Sequence, residues 1–70
     1  MATVTANGKP REVPAGSTIL DLLDAVGWKP QWVVVELNGE PVARSVFGDR
    51  ALADGDRLEI VRAVAGGAYR

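Results

Sequence analysis

Two Asn-Gly pairs, Asn7-Gly8 and Asn38-Gly39, each sit between short β-prone runs, and they constrain the fold more than any other feature. Both residues of such a pair tolerate the positive φ angles of a type I′ turn, whose twist suits two antiparallel strands. Each pair therefore predicts a hairpin. Thr3 to Ala6 leads into the first and Lys9 to Val13 returns; Trp32 to Leu37 leads into the second and Glu40-Pro41-Val42 returns. Pro10 and Pro41 cannot donate to a ladder, so both return strands are predicted at sheet edges. In the third strand the period of two puts Val33, Val35 and Leu37 on one face and Val34 and Glu36 on the other.

Between the hairpins lies one helical signal. Pro14-Ala15-Gly16 ends the first hairpin, and Thr18 as N-cap with Asp21 three residues on resembles a capping box. Ile19, Leu22, Leu23 and Val26 recur at helical spacing as one apolar stripe, and Gly27 supplies a left-handed stop. The helix is too short to persist alone and must pack on the sheet. Arg44 to Leu52 is read as irregular, with Val46, Phe47 and Leu52 tucked beneath the sheet rim. Asp54-Gly55-Asp56 is a tight turn, its acids expected to bond backbone in the turn rather than to form a catalytic pair. Arg57 to Val64 is the last strand, with Leu58 and Ile60 inward and Glu59 outward. Arg62 interrupts the alternation, so the covered face is expected to end there.

The order is β-β-α-β-β-β. One helix covers one face of one mixed sheet of four to five strands, an α+β architecture whose other face stays open. With first and last strands parallel and central, this is the ubiquitin-like β-grasp arrangement. Residues 1–65 form the predicted domain and 66–70 a flexible tail with glycines at its root.

Composition excludes several functions. The chain of 70 residues contains no cysteine and no histidine, which removes disulfides, thiolate metal sites and the usual general base near neutral pH. No metal site and no independent catalysis are expected. Eight basic and nine acidic residues are interspersed, for a formal net charge of −1. No basic run could follow a phosphate backbone, so nucleic-acid binding gets no support. The longest apolar run, Trp32 to Val35, is too short to span a bilayer. A cytoplasmic monomer without membrane attachment is the expectation.

The end of the chain reads Val64-Ala65-Gly66-Gly67-Ala68-Tyr69-Arg70. A glycine pair beyond a strand removes side-chain bulk, so such a tail can enter a narrow site. Together with the Asn7 turn, Pro14 to Thr18 leading into Leu22-Leu23, Arg44 before Phe47, and the run from Asp54 to Gly67, it makes the chain resemble the ThiS sulfur carrier family of thiamine biosynthesis. The resemblance covers Val4 to Gly67.

It implies that a ThiF-like enzyme adenylates the carboxylate of Gly67 with ATP, with no cofactor bound to the carrier itself. Sulfur from a cysteine desulfurase relay would displace AMP to leave a thiocarboxylate. The implied acceptor is thiazole synthase, ThiG. Gly66 and Ala65 would keep the threaded tail slim. Val34, Val61 and Ala63, with Thr5, are expected on the open sheet face near the tail as a docking surface, and Arg62 as a further partner contact.

Ala68-Tyr69-Arg70 departs from the family pattern, because an internal peptide carbonyl cannot be adenylated as a carboxylate. Either a peptidase, of the JAMM metalloprotease type used in some carrier pathways, trims the chain, or the chain is no substrate as written. Trimming is the reading adopted. Carriers for molybdopterin, cysteine, tRNA thiolation or secondary metabolites share the mechanism, and a non-conjugating β-grasp interaction module or a protein modifier shares the fold. Trp28 and Trp32, bracketing Pro30, are read as a cap on the core, and Arg44 as a solvated surface side chain.

Overall fold

A computed structural model describes residues 1–63. Both Asn-Gly pairs form the expected turns: Asn7 and Asn38 have φ of 51° and 54°, and the glycines after them 82° and 87°. The first turn joins β1 (Ala2–Ala6) to β2 (Lys9–Val13) and the second joins β3 (Val33–Leu37) to β4 (Glu40–Val42). With β5 (Arg57–Arg62) they build one sheet in the order β2-β1-β5-β3-β4. The two proline-bearing strands are its edges. β5 lies at the centre, parallel to β1 and antiparallel to β3.

Helix α1 (Ile19–Val26) starts as its sequence dictates. Thr18 accepts from the Asp21 N–H while the Asp21 carboxylate accepts from the Thr18 N–H, so two otherwise orphaned donors are satisfied. Gly27, at φ 83°, turns the chain out of the helix. Ile19, Leu22 and Leu23 pack on the inner face of the sheet against Ala2, Val4, Val13, Val33, Val35, Leu37, Leu58 and Ile60, with Phe47 and Leu52 closing the rim.

The structure departs from expectation along the edges of that core. Val26, fourth in the stripe, is 36% exposed because the helix ends as it passes the core. Val46 is likewise exposed; it belongs to a 3₁₀ turn, Arg44–Val46, that places Phe47 inward in its stead. A second 3₁₀ turn, Pro30–Trp32, takes Trp32 out of β3 and leaves it 42% exposed, so Trp28 alone of the pair packs against the core. Arg44 is more than a solvated cation: its Nε donates to the Pro30 carbonyl at 2.9 Å and its Nη2 to the Val33 carbonyl at 3.3 Å, which fixes the start of β3.

Candidate functional site

The part of the molecule that the sequence marks for function is the root of the tail, and the fold holds that root on both sides. On one flank β5 runs along β3 in register from Leu37 opposite Leu58 to Val33 opposite Arg62, and the Ala63 N–H donates to the Trp32 carbonyl at 2.9 Å. On the other flank β1 pairs with β5 only through Thr5–Arg57 and Ala6–Leu58. There the turn residue Asn7 takes over. Its backbone N–H donates to the Leu58 carbonyl at 2.9 Å, its Nδ2 donates to the Ile60 carbonyl at 3.1 Å, and its Oδ1 accepts from the Ile60 N–H at 2.7 Å. The amide thus extends the ladder one step beyond the strand.

Asn38 does the corresponding work at the start of β5. Its Oδ1 accepts from the Arg57 N–H at 2.9 Å, and its Nδ2 donates to Asp56 Oδ1 at 3.0 Å. Asp56 also accepts from the Ala53 N–H at 2.8 Å and lies 3.8 Å from the Arg50 guanidinium. Burial alone would push this carboxyl up. The Ala53 and Asn38 hydrogen bonds and the Arg50 charge outweigh it, so its pKa lies below the ordinary aspartate value. Asp54 reaches outside its turn, accepting from the Thr3 N–H of β1 at 2.7 Å. The two acids are thus structural, each holding backbone. No sequence signal pointed to the asparagine clamps beyond the turns that place them.

Val34 and Val61 stand directly opposite each other on the open face, 48% and 60% exposed. Ala63 is exposed two residues further along the chain from Val61. Thr5 is only half-buried and lies beside Arg57, one strand away. Arg62 does not join this patch: it alternates with Val61, so it follows Leu58 and Ile60 on the helix-bearing side, where it is exposed. The apolar pair is therefore a small patch on the strand that leads into the tail. Ala65, Gly66 and Gly67, expected to thread and carry the modified carbonyl, lie outside the described residues, as does the extension Ala68 to Arg70.

Known proteins agree with this arrangement. Residues 4–67 match the ThiS family. A sulfur carrier protein ThiS of Thermus thermophilus is 38% identical over 64 residues, covering 91% of this chain and 98% of that protein. A thiazole synthase of Magnetococcus marinus is 36% identical over 63 residues; these are 90% of this chain but 19% of that protein. A thiazole synthase of Paramagnetospirillum magneticum is 41% identical over 61 residues, again 19% of its length. This chain thus spans about a fifth of both synthases. Among solved structures, the crystal structure of a thiamine biosynthesis protein (ThiS) from Geobacter metallireducens superposes with a TM-score of 0.73 at 36% identity, covering 93% of this chain and 99% of that one. With a shared five-stranded sheet, one helix and a match running to the second glycine, this chain belongs to the ThiS family.

Proposed function

We propose that this protein is a sulfur carrier for thiazole formation in thiamine biosynthesis, a co-substrate that is not itself a catalyst. The observation that carries the reading is the match to the ThiS family through Gly67, on a domain whose last strand is held up to Ala63 on the β3 flank and up to Ile60 on the β1 flank. A rigid root with a slim tail suits delivery of one carbonyl into another protein's active site.

The chemistry follows from what a carboxylate lacks. Its oxygen is a poor leaving group, so a ThiF-like enzyme converts the Gly67 carboxylate with ATP into an acyl-adenylate, releasing pyrophosphate. A persulfide sulfur from a cysteine desulfurase relay then attacks the carbonyl and AMP departs, leaving an acyl disulfide; a second thiol attacks the relay sulfur of its S–S bond, releasing the thiocarboxylate and leaving the two thiols joined as a disulfide. Its need for ATP favours the cytoplasm as the compartment of this chemistry. Gly66 and Ala65 keep the tail narrow, and the Val34–Val61 pair with Ala63 docks on the activating enzyme.

A thiazole synthase is the favoured acceptor, because stretches similar to this chain occur within two proteins that bear that name. Joining carrier and acceptor in one polypeptide would raise their effective concentration. In this chain Ala68-Tyr69-Arg70 must first be removed, and a JAMM-type metalloprotease is the class of enzyme suited to it.

The test is carrier-dependent ATP–pyrophosphate exchange with a ThiF-like enzyme. A chain ending at Gly67 should support exchange, and chains ending at Arg70 or at Ala65 should not. Equal exchange with all three would refute activation at Gly67.

A further inference from the structure

The end of the domain from which the tail leaves carries most of its positive charge. Residues 1–63 hold seven Lys and Arg (the eight of the whole chain less Arg70), and four of these, Lys9, Lys29, Arg44 and Arg62, gather there. Lys9 follows the turn in which Asn7 bonds Ile60, while Arg11, opposite Val4, is level with the start of β5. Arg62 is opposite Val33, whose carbonyl accepts from Arg44. Lys29 lies 5.9 Å from the ring centre of Trp32, the residue whose carbonyl accepts from Ala63. Arg50 and Arg57 sit at the far end with Asp54 and Asp56, and Arg50 pairs with Asp56.

Within this basic end is a hollow of roughly 380 Å³ between the first hairpin and the end of α1. Val26, Trp28 and Ile60 supply apolar walls, and Lys9 and Arg11 stand at the rim. The helix's apolar stripe thus continues past the core and ends in an open concavity. Among the described residues no carboxylate pairs with Lys9, Arg11 or Arg62. These cations are not needed to finish the helix either, because Gly27 and Trp28 N–H groups already bond the Asp24 and Leu23 carbonyls at 3.2 and 2.9 Å. An apolar floor under unpaired cations complements an apolar side chain flanked by carboxylates.

Resting on the carrier reading above, we infer that this hollow is a second docking site for the activating enzyme, separate from the Val34–Val61 patch and on the opposite face of the sheet. Its occupant is an acidic-apolar edge at the mouth of the channel that takes up the tail. The activating enzyme fits better than the sulfur acceptor because it holds ATP. A site loaded with a nucleotide triphosphate projects a negative field, and a basic collar around the tail is steered toward it. Lys9 and Arg11 are thereby positioning residues for activation: they orient the carrier without touching the reacting carbonyl.

The experiment compares wild type with Lys9→Glu/Arg11→Glu, both in the chain ending at Gly67, by pyrophosphate exchange at several salt concentrations. Reversing two rim charges should raise KM by about tenfold at low salt and leave kcat within about twofold, with a weaker dependence of KM on salt. The Lys9→Gln/Arg11→Gln chain should show a smaller rise, and Lys9→Arg/Arg11→Lys should behave as wild type. The milder pair keeps the test valid if the double reversal fails to fold. An unchanged KM in folded variants overturns the inference. So does a loss confined to kcat, or one confined to sulfur transfer onto the acceptor. Wild type failing to support exchange would instead bring down the carrier reading, and this site with it.

Discussion

Replacing Asn7 with glycine removes the clamp on β5 while keeping the left-handed turn. The amide makes two hydrogen bonds to Ile60, at 2.7 and 3.1 Å, and each contributes about 0.5–1.5 kcal/mol net. Their sum is about 1–3 kcal/mol. Glycine adopts the φ of 51° without steric cost but gives up more chain entropy on folding, and these two effects roughly offset each other. A loss of about 2 kcal/mol is the result, which in a domain of this size lowers Tm by about 8–16 °C. Asn7→Ala should cost about 1 kcal/mol more, since alanine is strained in the left-handed region.

Urea and thermal unfolding followed by circular dichroism give the global number, and amide hydrogen exchange locates it. Protection of the Ile60 N–H should fall more than that of Glu59 and Val61, whose N–H groups face β3. If Asn7→Gly stays within about 0.5 kcal/mol of wild type and the Ile60 N–H exchanges as before, the Asn7 amide does not hold β5.

Val61→Glu places a charge on the open-face patch where the side chain is 60% exposed, so stability should change by no more than about 1 kcal/mol. KM for activation should rise by about tenfold, and an unchanged KM would remove this patch from the docking surface. Asp56 predicts the acid limb of stability. Its folded pKa is depressed, so its contribution is complete above the unfolded value of 3.8 and is lost as pH falls through the lower folded pKa. Asp56→Asn should flatten that part of a urea-midpoint profile, and identical slopes for the two proteins would contradict the assignment. Intact-mass measurement on protein from its native host should reveal a species ending at Gly67; finding only chains that end at Arg70 would count against trimming.

Local chemistry made much of the fold legible. The Asn-Gly pairs fixed both hairpins, prolines marked both edges, and the Thr18–Asp21 box marked the start of the helix, because each effect acts within a few residues. Alternation in β3 and β5 was enough to put Val34 and Val61 on the open face. What escaped depended on partners distant in sequence. Asn7 bonds a residue 53 positions away and Asn38 one 19 positions away, and neither pairing has a local signature. Val26 and Val46 satisfy apolar spacing yet lie outside the core, since their burial depends on where α1 and the Arg44–Val46 turn cross the sheet. Trp32 failed as part of a core cap for the same reason: Pro30 begins a 3₁₀ turn that swings the indole outward. The role proposed for Gly67 rests on the motif and the family, not on geometry, because it lies outside the described residues.

Mass spectrometry of the chain ending at Gly67, after incubation with ATP, a ThiF-like enzyme and a cysteine desulfurase with cysteine, tests the account most directly. Exchange of one carboxylate oxygen for sulfur should add about 16 Da, through an activated leaving group, and fragmentation should put the gain on the last residue. A mass that stays unchanged while a ThiS protein of known competence gains sulfur in the same mixture would contradict the account.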